Sequence, residues 1–319
     1  MSYDRYPPFD LKGVRTYPLA SRESKVKVSD FAQIPRRGAS FADFYNSLPD
    51  ILGARDLRAV VAAIRRARER GKPVVMGMGA HVIKVGLSPI VCHLLERDWV
   101  TAIALNGAGV VHDFEIASIG STSEDVDAVL GGGAFGMAEE TGKFVNQAIS
   151  VGLKRGEGIG QALGHYLCAT KPPHLDLSLF ATAHRLGKVA TVHVAVGTDI
   201  VHMHPDASGA DIGEGTHRDF RTFVSVVADL GGGGVYLNVG SAVILPEIFL
   251  KAVTLVRNRG IALTDFTTVN LDFIQHYRTM TNVVRRPVKG VGKGINLIGH
   301  HEILLPLIAW ALEQGDSAR

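Results

Sequence analysis

The stretch from Lys72 to Ser118 constrains this chain most, because it reads as strand, glycine turn, helix, strand, glycine turn, helix. The turns are Gly77-Met78-Gly79-Ala80-His81 and Asn106-Gly107-Ala108-Gly109. A buried parallel strand leaves its carboxyl end facing a crevice. Glycines there let backbone N–H groups come close to a phosphate, while the next helix offers its positive end. Two such turns in succession point to a nucleotide site, although each taken alone is also what an ordinary strand-to-helix turn needs. Neither turn is the GxGxxG fingerprint.

The same alternation continues along the chain. Apolar, β-branched runs at Pro73–Met78, Val100–Leu105, Val189–Val196, Gly234–Val239 and Ile261–Val269 are separated by helical patterns. Strands without polar alternation, interleaved with helices, imply a parallel sheet covered on both faces, so the expected fold class is doubly wound α/β. A helix over Ala54–Arg70 carries Leu57, Val60, Val61 and Ile64 at helical spacing, and Gly71 ends it. Residues 1–50 are rich in Pro, Arg and Ser without periodicity. They read as an N-terminal arm of the kind that docks on another subunit, ahead of a single α/β domain over 51–319.

With 319 residues, 46% of them hydrophobic, the chain is long enough to bury a large core as a soluble globular protein. Its net charge of +3 is spread without a polybasic tract, which argues against nucleic acid or an anionic membrane as partner. Cys92 and Cys168 are the only cysteines, which excludes a disulfide scaffold and fits a reducing, cytoplasmic setting. No apolar run is long enough to span a bilayer, the longest, Ile303 to Leu312, being interrupted by Pro306.

Further polar groups fall at predicted strand ends. Thr198 and Asp199 follow the third strand and suit a ribose, or Asp199 caps its own turn. Gly240 and Ser241 follow the fourth, whereas the four glycines Gly231–Gly234 precede it, at the wrong edge for the crevice. Asn270 and Asp272 end the fifth. The basic glycine segment Arg285–Gly294 is a candidate for pyrophosphate binding, but it lacks P-loop spacing and reads rather as a flexible solvated loop. His202, His204 and Asp206, with Asp211 beyond them, are the raw material of a divalent-metal site and carry an alternative reading as a metal-dependent hydrolase, although they lack helical ligand spacing. No metal is expected on the primary reading. His81, His112 and His202 are candidates for proton transfer, since imidazole titrates near neutral pH.

From about Lys72 to Ala311 the order of strands, turns and short motifs resembles deoxyhypusine synthase and the related homospermidine synthases. The family's Thr-Ser-Asn-Leu-Ile turn falls on Gly79, Ala80, His81, Val82 and Ile83, and its Thr-Ala-Gly-Gly-Val-Glu-Glu-Asp turn falls on Asn106 to Asp113. Its Ala-Leu-Thr-Asp strand end is matched by Ala195, Val196, Thr198 and Asp199, its Ile-Asn-Thr-Ala segment by Val269 to Asp272, and its adenosine-end motif by Gly299, His300, His301 and Glu302. The resemblance implies a compact NAD-binding domain, assembled as a homotetramer or dimer, with cofactor contacts from Gly79, Ala80, His81, Asn106, Gly107, Gly109, Thr198, Asp199, Gly240, Ser241, Asn270, His300 and His301.

The chemistry departs from the family. Its acidic pair is Val111-His112 here, its Lys-His-His is Val243-Ile244-Leu245, and its nucleophilic Trp-Gly-Lys has no counterpart. Lys289 and Lys293 lie near where that lysine would fall and are catalytic candidates beside His112 and His81, or else exposed loop lysines. Asp113, Glu115 or Asp272 are candidate anchors for a cationic substrate. The expectation is an NAD-dependent transferase or oxidoreductase acting on a small amine-containing substrate other than the hypusine precursor. A non-catalytic nucleotide-binding scaffold is the other alternative.

Overall fold

The computed structural model describes residues 5–314. Six strands form one wholly parallel sheet in the order β3-β2-β1-β4-β5-β6. They are β1 Val74–Met78, β2 Ala102–Asn106, β3 Val189–His193, β4 Val235–Val239, β5 Thr267–Asp272 and β6 Lys293–Ile298. The strand order reverses between β1 and β4, so the helices following these two strands leave on opposite sides and open a crevice above their carboxyl ends.

The helices, in chain order, are α1 Phe41–Ser47, α2 Leu52–Glu69, α3 His81–Lys84, α4 Ser88–Glu96, α5 Gly107–Ile119, α6 Val126–Val129, α7 Glu139–Lys154, α8 Ile159–Thr170, α9 Leu179–Arg185, α10 Gly209–Ala228, α11 Ile244–Asn258, α12 Tyr277–Thr279 and α13 His301–Glu313. Alternate strand residues serve two cores. Met76, Met78, Leu105, Val239 and Leu271 face a large one built with α2, α4, α5, α7, α8, α9 and α13. Val75, Ala104 and Tyr236 face a smaller one closed by α10 and α11. Every residue of β1, β4 and β5 is buried, which explains why these runs show no polar alternation. Helix α2 is amphipathic at the expected positions, Leu57, Val60, Val61 and Ile64 being buried. Each such side chain contributes about 1.5–3 kcal/mol by leaving water.

Two sequence expectations need revising. The segment read as a basic flexible loop contains a strand: a short π-helix over Met280–Arg285 and a tight turn lead into β6, which begins at Lys293. Strand β6 lies at the sheet edge with only Ile295 and Leu297 buried, so its alternating, glycine- and lysine-bearing sequence looks like a loop. The fifth strand occupies Thr267–Asp272 rather than starting at Ile261. Residues 5–40 carry only short 3-10 turns and are almost entirely exposed, and helix α1 then meets the body through Phe41 against Trp310, ring centroids 5.8 Å apart. Among the described residues no helix is long and apolar enough to cross a membrane.

Candidate functional site

The site begins with backbone that tolerates no side chain. The Gly79 amide donates to the Val239 carbonyl at 3.0 Å, and a Cβ at Gly79 would collide with the Gly240 carbonyl. Gly240 itself adopts φ +64° and lies under the His301 ring. The carboxyl ends of β1 and β4 are thereby pressed together at the switch point, leaving main chain within reach of a ligand laid across them.

Rings collect above this floor. His81 opens α3, Phe273 follows β5, and His300 and His301 open α13. Phe273 stacks on His300 (5.4 Å, 14° between planes), and His81 lies 5.8 Å from Phe273 and 5.5 Å from His301. His81, Phe273 and His300 are exposed, so they form an aromatic platform open to solvent. His301 is buried. Its Nε2 pairs with the Leu271 carbonyl at 3.2 Å, and its Nδ1 has no partner among the described residues. Burial holds this imidazole below its ordinary pKa range, opposed by the Asp272 carboxylate, so the ring is neutral at pH 7.

Beneath the platform an amide ladder crosses the sheet in register. Asn238 Nδ2 donates to Asn270 Oδ1, and Asn270 Nδ2 donates to Asn296 Oδ1, each at 2.9 Å. Asn270 is therefore committed to joining three strands. Ser241, also buried, accepts from the Leu245 amide and caps the entry to α11.

The other half of the rim belongs to β2 and β3. Asn106 accepts from the Gly109 amide and caps α5. Asp199 sits at that same helix end, its carboxylate against Gly107 and facing the Ala108 amide. Burial raises the Asp199 pKa, opposed first by His202, whose Nε2 lies 3.8 Å from Oδ2. Thr198 is exposed and turns its hydroxyl onto the Ala195 carbonyl.

A cavity of about 870 Å³ opens beside this half, walled by α5, α7 and the segment between them. Its polar lining holds four carboxylates, Glu115, Glu124, Glu140 and Asp199, against one ammonium, Lys84. Phe114, Phe135 and Phe144 supply apolar wall. His112 lines it too, with Nδ1 2.6 Å from Thr122 Oγ1. Thr122 in turn donates to Glu115 Oε2, and Thr141 donates to Glu115 Oε1 at 3.1 Å. Burial keeps the His112 pKa below its ordinary range, with Glu115 opposing and Lys84 adding to the effect.

The structure thus brings together Gly79, Ala80, His81, Gly240, Ser241, His300 and His301 on one half of the rim, and Asn106, Gly107, Gly109, Thr198, Asp199 and His112 on the other. It does not bring Lys289 and Lys293 there. Lys293 pairs with Thr267, the first residue of β5, and Lys289 lies in the turn before it, so both occupy the amino-terminal edge of the sheet. Asp113 is no substrate anchor. It is fully buried, accepts from the Ser178 hydroxyl and the Leu179 amide, and so holds the start of α9, while burial pushes its pKa up to about 6.

The proposed metal ligands diverge as well. His202 accepts from the Gly197 amide and faces Asp199; His204 pairs with the Gly136 carbonyl against α7; Asp206 is exposed; Asp211 accepts from Ser150. Among the described residues no group of three or more His, Cys, Asp or Glu is placed to hold a metal ion. Sequence reading missed Phe273, Thr122 and Lys84. Phe273 was within reach, one residue beyond the predicted strand end at Asp272, whereas Thr122 carries no signal until the loop after α5 folds back.

No family model matches the chain, and no curated protein matches it by sequence. Solved structures do match in fold. A ternary complex of AgrE with ornithine and NAD+ aligns at TM-score 0.52 and 15% identity, over 82% of this chain and 34% of that one. A conserved candidate LOR/SDH protein of Methanococcus maripaludis S2 aligns at 0.52 and 13% identity, over 83% of this chain and 70% of that one. A candidate deoxyhypusine synthase of Entamoeba histolytica aligns at 0.50 and 12% identity, over 86% of this chain and 93% of that one. The chain spans about a third of the length of AgrE and of the cyanobacterial arginine dihydrolase ArgZ. It has the doubly wound, deoxyhypusine synthase-like fold that the sequence led us to expect.

Proposed function

We propose that the chain is an NAD-binding enzyme, a transferase or oxidoreductase, that acts on a small amine-containing substrate. The observation that carries this reading is the switch point between β1 and β4, where Gly79 and Gly240 leave bare backbone beneath the rings of His81, Phe273 and His300. Planar rings favour stacking on an exposed aromatic platform, and a Cβ-free floor admits the pyrophosphate of a dinucleotide. The solved AgrE structure that aligns with this chain over 34% of its length is a complex with ornithine and NAD+, which supports the reading.

Held by Gly79, Gly240 and the platform of Phe273 and His300, a nicotinamide dinucleotide would supply a hydride acceptor for a substrate carbon. The chain's own residues supply the remainder. The four carboxylates of the adjoining cavity make it net acidic, which attracts a cation, and its phenylalanines suit an aliphatic stem. His112, neutral and beside Glu115, is the proton acceptor for the substrate nitrogen. Asp199 holds a ribose hydroxyl or the substrate ammonium at the meeting of the two halves. Lys289 and Lys293 have no part in this reading.

The exposed arm supports a homo-oligomer: Phe9, Val28 and Ile34 are each more than 80% exposed, a cost in water that a second copy would remove. Light scattering on the full chain reads the oligomeric state directly. The cytoplasmic setting read from the cysteine usage of the sequence is kept as part of this proposal.

Calorimetric titration of the purified chain with NAD+ tests the cofactor, and absorbance of the reduced form during incubation with a panel of diamines and basic amino acids tests the reaction. Binding without oxidation of any panel member, and so without formation of the reduced cofactor, would favour the non-catalytic scaffold; absence of binding would remove the reading.

A further inference from the structure

The strongest arrangement left unassigned is the chain of groups leading from Glu115 to His112. A threonine hydroxyl carries one proton, and it lies between an imidazole nitrogen 2.6 Å away and a carboxylate. Glu115 accepts a second hydroxyl, from Thr141, at its other oxygen, so both of its oxygens serve as acceptors. The Thr122 proton therefore points to Glu115, and the Oγ1 lone pair facing the ring needs a donor, so the ring proton sits on His112 Nδ1. Nε2 is then the unprotonated nitrogen, and it has no hydrogen-bond partner among the described residues while the ring lines the 870 Å³ cavity.

We propose that Thr122 and Glu115 are positioning residues that lock His112 in the tautomer protonated at Nδ1 and present Nε2 to the cavity as a base. This rests on the reading of the cavity as the reaction site. The step served is a proton transfer: a substrate ammonium gives one proton to Nε2, becoming a neutral amine with its lone pair free, and the ring becomes an imidazolium. The Nδ1–H then donates to Thr122, whose hydroxyl donates to Glu115, so the new positive charge is spread toward a carboxylate without a second proton moving. The charged groups acting on the ring are Glu115 from α5 and Lys84 from α3, and the cavity that the ring lines also carries Glu124 from the following loop, Glu140 from α7 and Asp199 from beyond β3. Lys84 disfavours the imidazolium and Glu115 favours it, so loss of the Thr122 link is read with both charges in place.

The test uses the full chain with 15N-labelled histidine, with the His112 signals assigned through His112→Gln. Long-range proton–nitrogen spectra above the titration midpoint are expected to show His112 protonated at Nδ1. Thr122→Val is expected to move the ring toward the Nε2-protonated form and to lower its titration midpoint, because the imidazolium loses its link to Glu115; Thr122→Ser is expected to restore both. A wild-type His112 protonated at Nε2 overturns the proposal, and so does a Thr122→Val ring with unchanged tautomer and midpoint. The wild-type tautomer alone decides the matter if Thr122→Val fails to fold. NAD+ titration of the same samples separates the two levels: no cofactor binding with Nδ1 protonated removes the dinucleotide reading and leaves the relay standing.

Discussion

The two halves of the rim are built from the same βα turns but solve different problems. Above β1, β4, β5 and β6 the side chains are rings resting on glycine backbone, with the floor tied together by three asparagines. Above β2 and β3 they are carboxylates, hydroxyls and one neutral imidazole around a cavity of about 870 Å³. A ring platform recognises flat, weakly charged groups, whereas an acidic cavity recognises a cation, so the contrast divides one crevice into a cofactor half and a substrate half.

Rigidity separates the halves most sharply. Gly79→Val should be the most damaging change, because its Cβ meets the Gly240 carbonyl, which is backbone on both sides and cannot turn away. A loss of about 3 kcal/mol is expected from overpacking of this kind, read as a lower denaturant midpoint. A variant as stable as wild type would mean that the two strand ends are not locked.

Acid should strike the substrate side. His193 ends β3, is buried against Phe223, and burial pushes its pKa down to about 3. A histidine whose folded pKa is depressed favours folding above its unfolded value near 6.5 and loses that contribution as pH falls toward the folded one. Between pH 6.5 and 4.5 this amounts to a loss on the order of 2 kcal/mol. Asp113 works in the opposite direction, its raised pKa favouring folding at low pH and ceasing to do so as pH rises through about 6, so the comparison must be between variants. His193→Gln should narrow its stability gap to wild type as the pH drops; a constant gap would show that the histidine is not buried neutral.

Removing the ring stack should affect binding without affecting the fold. Phe273→Ala is expected to weaken NAD+ about tenfold, near 1.4 kcal/mol, in calorimetry, with the midpoint of unfolding almost unmoved because Phe273 is 42% exposed. The smallest effect belongs to the opposite edge of the sheet. Lys289→Ala and Lys293→Ala should leave NAD+ affinity within about 0.5 kcal/mol of wild type. A large loss in either would break the division of the rim proposed above.

Much of this was legible before any coordinates. Buried parallel strands announce themselves through unbroken β-branched runs, and β1, β2 and β4 ended where their glycines said they would. Gly79, Asn106 and Asp199 follow as residues of one rim, since strands in one parallel sheet end on one side. The edge strand β6 escaped notice because an edge needs only Ile295 and Leu297 inside and admits lysine, glycine and asparagine between them. The family resemblance placed Lys289 and Lys293 near the chemistry, whereas the register of β6 puts Lys293 at the far end of the sheet with Lys289 in the turn before it. Asp113 and Asp199 show a second limit. Both are aspartates near a turn, but one is spent on the start of α9 and the other faces the cavity, a difference decided by packing between residues more than sixty positions apart.

The most direct measurement is a crystal structure of the chain grown with NAD+. The division of the rim predicts the dinucleotide across the carboxyl ends of β1 and β4, its pyrophosphate over Gly79 and Gly240 and a ring on the platform of Phe273 and His300. Density for it at the amino-terminal edge beside Lys293, or in the acidic cavity with the platform bare, would contradict that division.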